Sequence, residues 1–152
     1  MTEGGLGASF SRLGVAATPE QAAVLRNDLS QWLQRCFAFD AESTNDVLLA
    51  VNEALANAAE FAYLGISHGG VMHLRADYLP PTTLTVTVSD EGRWHTRDPA
   101  VARDIARGRG LRLMRALTDH TAVDSTPAGT EVRLRWDHVN VVSGTDLRSS
   151  EA

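Results

Sequence analysis

The chain has 152 residues, 43% of them hydrophobic and 22% charged, with a formal net charge of -5, which suits one domain around a single core and is short for two. No apolar run reaches membrane-spanning length, and the N-terminus MTEGGLGASF lacks both the basic flank and the apolar core of a signal peptide, so a cytoplasmic protein with no membrane partner is expected. Cys36 is the only cysteine and all fourteen basic residues are Arg, which excludes an intramolecular disulfide, a P-loop and Schiff-base chemistry.

Residues 1–7 are Gly-rich and expected to be loose, and Ala8 to Ala16 has the makings of a short edge strand. Thr18-Pro19-Glu20-Gln21 is a helix start: Thr18 can cap, Pro19 suits the first turn and Gln21 completes a capping box. Val24, Leu25, Leu29, Trp32, Leu33 and Cys36 follow at helical spacing, which predicts one face packed on the core. Asp40 and Ser43 offer the next caps. The stretch Val47 to Tyr63, VLLAVNEALANAAEFAY, contains no Gly or Pro and is apolar on most of its circumference, so it reads as a largely buried helix that Gly65 can close. Glu53 and Asn57 interrupt its apolar surface. Four residues apart, they share one helix face, and a carboxylate there needs a polar partner or a wet cavity beside it.

From Val71 the period changes to two. Met72, Leu74 and Ala76 alternate with His73, Arg75 and Asp77, and after Pro80-Pro81 the residues Leu84, Val86 and Val88 alternate with Thr83, Thr85, Thr87 and Ser89, which predicts a hairpin with one face to be covered by helices. Asp90-Glu91-Gly92 ends the second strand. Arg93 to Arg107 reads as a charged loop, and seven of the Arg residues lie between Arg93 and Arg115; in an acidic chain that local excess points to a bound anion rather than to direct nucleic-acid binding. Gly108-Arg109-Gly110 opens a short helix with Leu111, Leu113, Met114 and Leu117. Thr121 to Ser125 and Thr130 to Trp136 are then strands about the Pro127-Ala128-Gly129 turn. The expected fold class is α+β, a two-layer sandwich whose mainly antiparallel mixed sheet is covered on one face by helices. One domain over residues 8–137 is expected, with 1–7 and 138–152 as flexible termini.

Three spaced elements carry chemistry. Glu53 and Asn57 supply a general base and a neutral oxygen of the kind Mg²⁺ accepts beside phosphates and water. Asp90, with Gly92 two residues on, places an acceptor at a sharp turn that a planar ligand can approach. Gly108 and Gly110 at a helix start expose backbone N–H groups at the positive helix end, a phosphate site. Each alone has a plainer reading: a structural pair between helix and sheet, a strand-ending turn, a loop-to-helix junction. The five histidines have no metal-ligand spacing and are given no role.

In this order the elements resemble the Bergerat-fold ATPases, and among them the bacterial anti-sigma-factor serine/threonine protein kinases. Over roughly Thr18 to Trp136, E-A-L-A-N-A (Glu53 to Ala58) is similar to the family's N-box, D-E-G-R-W (Asp90 to Trp94) to the first glycine box and G-R-G-L (Gly108 to Leu111) to the second. The resemblance implies ATP and Mg²⁺ as cofactors, Glu53 as catalytic base and Asn57 as Mg²⁺ ligand. It implies Asp90 on the adenine amino group, Gly92 allowing close approach, and Thr130 helping to hold the base. Gly108, Arg109 and Gly110 would meet the phosphates, with Leu111 in the same binding segment and Arg93 to Arg107 as the lid. Two positions depart from the pattern: Phe61, where the family often has His, and Arg112, where sensor histidine kinases carry a further glycine. The implied partners are an anti-anti-sigma protein as phosphorylation substrate, a sigma factor, and a second copy of the chain. The alternative readings are a nucleotide-binding partner-switch regulator without kinase activity and the detached catalytic domain of a sensor histidine kinase. The latter is disfavoured because no phosphoacceptor-His helix precedes the domain.

Overall fold

The computed structural model of the chain describes residues 8–60, 70–92 and 109–140, the Arg109 side chain excepted. Strand β1 (Ser9–Ala16) leads into helix α1 (Pro19–Cys36) through Thr18, whose hydroxyl accepts from the Gln21 N–H at 3.1 Å. Pro19 takes the first turn, where an N–H would have no helical partner. Ala22, Leu25, Leu29, Trp32, Leu33 and Cys36 form its buried face. Val24, expected on that face, is instead 48% exposed: one residue from Leu25, it points about 100° away round the helix. Asp40 then starts helix α2 (Ala41–Glu60), its Oδ1 accepting from the Ser43 N–H at 2.7 Å, so Asp40 is the cap and Ser43 its donor. The expected helix end at Tyr63 and Gly65 lies outside the described residues.

Strands β2 (Val71–Leu79) and β3 (Thr83–Asp90) form the expected hairpin, in register from Leu79 opposite Thr83 to Met72 opposite Asp90. The Pro80–Pro81 peptide bond in its turn is cis. Met72, Leu74, Ala76, Tyr78, Leu84, Val86 and Val88 are buried on one face, as the two-residue period requires. Helix α3 (Arg109–Leu117) and a second hairpin, β4 (His120–Thr126) and β5 (Gly129–Trp136), complete the described elements.

The strand order is β1-β2-β3-β5-β4, and all four ladders are antiparallel. The described sheet is therefore not mixed. Strand β4 runs in the direction of β3 and would pair with it in parallel, but the second hairpin inserts β5 between them, which converts both contacts to antiparallel.

The three described helices lie on one face of the sheet. Helix α2 is central, touching α1, α3, β2, β3 and β5; its buried Val47, Ala50, Val51, Ala54, Leu55 and Ala58 cover several sides because neighbours cover several sides. Trp32, fully buried, packs its ring against Phe10, tilted, and Phe37, edge to face, at centroid distances of 5.8 and 5.3 Å. Each fully buried large side chain of this kind contributes about 1.5–3 kcal/mol relative to exposure. Residues 138–140, expected within the loose C-terminal segment, are tied to the fold: the Ala38 N–H donates to Asn140 O at 2.8 Å, the Val139 N–H to Thr82 O at 2.9 Å, and Val139 is 3% exposed. No described helix is long and apolar enough to cross a membrane.

Candidate functional site

Helix α2 presents Glu53 and Asn57 one turn apart, Glu53 half-buried and Asn57 buried. The polar neighbour that this face demands is the first turn of α3. A Cβ built on Gly110 would stand 2.9 Å from Glu53 Oε1 and 3.8 Å from Asn57 Nδ2. The absence of a side chain at position 110 thus lets the helix start close onto the carboxylate and the carboxamide. The N–H groups of that turn carry the positive end of the helix dipole, so a carboxylate, a neutral amide and an anion-binding helix end share one small volume. Such a set suits a nucleotide phosphate with its divalent cation: the amide offers an uncharged oxygen, and the helix end offers N–H donors.

The second half of the site is built where β3 meets β5. Asp90 is the last residue of β3, opposite Met72 on β2 and Thr130 on β5. Its carboxylate turns toward the helices, and Oδ1 accepts from the Gly92 N–H at 3.1 Å, a two-residue side-chain turn that fixes both the carboxylate and the chain beyond it. Thr130 lies beside it, its hydroxyl 3.1 Å from that of Ser125 across the second hairpin. The approach of β5 to Asp90 depends on Gly129. At φ +151°, a Cβ there would lie 2.0 Å from the Asp90 carbonyl oxygen, so no side chain fits. Among the described residues, the buried polar and charged side chains are Asn57, Asp90 and Thr130. Burial of such groups is costly without a partner, and all three belong to this site.

The sequence-predicted residues thus fall into two clusters, Glu53, Asn57 and Gly110 between α2 and α3, and Asp90, Gly92 and Thr130 at the β3–β5 end, joined by the packing of α2 on β3. Leu111 belongs to the hydrophobic core at 9% exposure, with Met114 beside it in the same helix, and anchors the α3 start rather than opening to solvent. Gly108, the Arg109 side chain, Phe61 and the segment from Arg93 to Arg107, expected as the lid, lie outside the described residues. Ser125 was not read from the sequence as a member of the site, and Gly129 was read only as the residue on which the last strand opens. Ser125 could have been found from the hairpin register, which sets it opposite Thr130. The closeness of Gly129 to Asp90 had no sequence signal beyond the turn glycine itself.

The model of the histidine kinase-like ATPase domain family matches residues 15–136. A search of curated proteins gave no match. Among solved structures, the RsbU and RsbW domains of a Mycobacterium tuberculosis protein superpose with a TM-score of 0.68 at 21% identity, over 87% of this chain and 33% of that one. The histidine kinase domain of the Erythrobacter litoralis blue-light activated histidine kinase gives 0.52 at 28% identity, over 64% and 45%. The SiaB-SiaC complex from Pseudomonas aeruginosa gives 0.56 at 14% identity, over 87% and 89%. The chain thus spans a third to a half of the first two, and the likenesses below 25% identity establish a shared fold.

Proposed function

Since this chain belongs to the histidine kinase-like ATPase domain family, we propose that it is an ATP-dependent serine/threonine protein kinase acting as an anti-sigma factor in the cytoplasm, with an anti-anti-sigma protein as its phosphorylation substrate and a sigma factor as the partner it sequesters. ATP is the ligand that family membership implies. The observation that carries the reading is the closure of Gly110 onto Glu53 and Asn57, which sets a proton acceptor beside a helix end suited to phosphate. In the proposed mechanism Asp90 and Thr130 receive the adenine, Asp90 as acceptor from its amino group. The α3 N-terminus stabilises negative charge on the phosphates. Glu53 takes the proton from the attacking Ser or Thr hydroxyl of the substrate protein. Asn57 would hold Mg²⁺, which when bound neutralises phosphate charge. The neighbouring solved structures of RsbW and SiaB-SiaC support a protein-partner role through their shared fold, and a second copy of the chain is part of the proposal.

The decisive experiment compares Glu53→Gln and Asn57→Ala with the wild type for nucleotide Kd with and without Mg²⁺, γ-phosphate transfer to a purified partner, and Tm. Glu53→Gln keeps shape and removes the proton acceptor, so ATP should still bind while transfer falls by about 10²-fold or more, a barrier increase of about 2.7 kcal/mol. Asn57→Ala should lose the Mg²⁺-dependent part of nucleotide binding as well. Wild-type transfer rates in a folded Glu53→Gln protein would end the assignment of the base. ATP binding without transfer in the wild type would favour a nucleotide-binding partner-switch regulator that does not phosphorylate.

A further inference from the structure

Strands β1 and β2 fall out of step at one place. Arg12 pairs with Leu74 and Val15 with Met72, so Leu13 and Gly14 together stand opposite His73, a bulge that turns at Gly14, where φ is +69°. The bulge takes the Gly14 N–H out of the ladder, and it donates instead to Nδ1 of His73 at 2.8 Å. With Nδ1 accepting, the neutral ring carries its proton on Nε2. That nitrogen lies 2.8 Å from Glu91 Oε2.

Glu91 sits between Asp90 and Gly92, just past the last ladder pair of β3. The two-residue period that turns the Asp90 carboxylate toward the helices turns Glu91 to the open face of the sheet, where His73 stands beside its register partner Ser89. The turn that carries the adenine-recognising carboxylate is therefore tied from both sides: by the Gly92 N–H to Asp90 on the inner face, and by His73 to Glu91 on the outer. Side-chain exposures of 23% for His73 and 63% for Glu91 give this pair little weight in global stability. Its effect is local, on the segment it holds.

We propose that His73 is a positioning residue for nucleotide recognition: its imidazole, seated on the β1 bulge through Gly14, holds Glu91 and thereby fixes the Asp90–Gly92 turn that aims the Asp90 carboxylate at the base. The proposal rests on the reading of Asp90 as the adenine acceptor. It gives the bulge a purpose that strand pairing alone does not, since a regular ladder would have paired the Gly14 N–H and left the ring without its anchor.

The test is ATP and GTP affinity for the wild-type chain, His73→Ala, Glu91→Ala, the double variant and Glu91→Gln, with Tm recorded for each. His73→Ala and Glu91→Ala should each weaken ATP binding by about threefold to tenfold, the worth of one hydrogen bond, and lower the ATP-to-GTP affinity ratio. A merely structural loss would change both nucleotides alike. The double variant should be no worse than either single one, and Glu91→Gln, which keeps an oxygen for the Nε2–H, should retain most of the affinity. Unchanged ATP affinity in His73→Ala overturns the proposal; so do additive losses in the double variant, which would place Glu91 itself on the nucleotide. Should His73→Ala fail to fold, the exposed Glu91→Ala and Glu91→Gln pair decides alone, equal affinities in the two overturning the proposal. A wild type that binds no nucleotide removes the adenine reading first, and is recognised because no variant is needed to see it.

Discussion

Gly110 and Gly129 lie on the two halves of the site, and their replacement by Ala should fail in different ways. At Gly110 the added Cβ meets Glu53 Oε1 at 2.9 Å, the free end of a flexible side chain that can swing aside. Ala is also the better helix former by about 0.5–1 kcal/mol. Gly110→Ala should therefore keep or slightly raise Tm while displacing the carboxylate, lowering phosphotransfer by about tenfold or more. At Gly129 the Cβ meets the Asp90 carbonyl oxygen at 2.0 Å, with φ at +151°; backbone cannot swing aside. Gly129→Ala should destabilise by about 2 kcal/mol or more and loosen nucleotide binding through Asp90. Melting curves and transfer rates on the two variants check this, and a Gly110→Ala protein with wild-type transfer would show that Glu53 need not stand where it does.

At the scale of elements, helices α1 and α2 are each held at their first turn by a side-chain cap. Thr18→Ala removes the hydroxyl that accepts from the Gln21 N–H and should cost about 1 kcal/mol, read as a lower midpoint in urea with unchanged slope. Asp40 caps α2 through the Ser43 N–H; that backbone hydrogen bond, with the Ser43 side chain adding to it, holds its carboxyl below the ordinary value of 3.8. At the far end of the sheet, partial desolvation works to raise the Asp137 carboxyl, but Arg135 and His120 outweigh it and hold it low as well. A depressed folded value means the contribution is complete above pH 3.8 and is lost as pH falls through the lowered values. Asp40→Asn keeps the cap without its charge, so the Tm difference between variant and wild type should shrink as pH is taken from 7 to below 3.8. A difference independent of pH would show that the charge of Asp40 adds nothing to the start of α2.

At the scale of the whole molecule, the described helices over one antiparallel sheet put the candidate site at a seam between α2, α3 and the β3–β5 end, so a ligand bound there is thermodynamically linked to the fold. ATP with Mg²⁺ at 100 times its Kd should add about 2.7 kcal/mol to stability, which for a chain of this size is a rise in Tm of about 5–10 °C. A flat melting curve at millimolar Mg²⁺-ATP would sink the nucleotide-binding reading. The opposite face of the sheet is open, with Leu13 and Leu79 joining His73, Arg75, Thr85, Thr87, Glu131 and Arg133 around a shallow hollow of about 610 Å³.

Much of this was legible in the chain because it depends on local rules. The caps at Thr18 and Asp40, the alternation in β2 and β3, and the four-residue spacing of Glu53 and Asn57 follow from backbone periodicity and short-range hydrogen bonding, which neighbouring residues settle among themselves. The order of the strands did not follow, since a hairpin can dock on either side and only packing decided that β5, not β4, lies beside β3. The site was decided the same way. Sequence could name Gly110 and Gly129 as turn or helix-start residues, but that one closes on Glu53 and the other on the Asp90 carbonyl is a consequence of long-range packing. So is the seat of His73 between Gly14 and Glu91, because contacts across 59 and 18 positions leave no periodic trace in the residues between them.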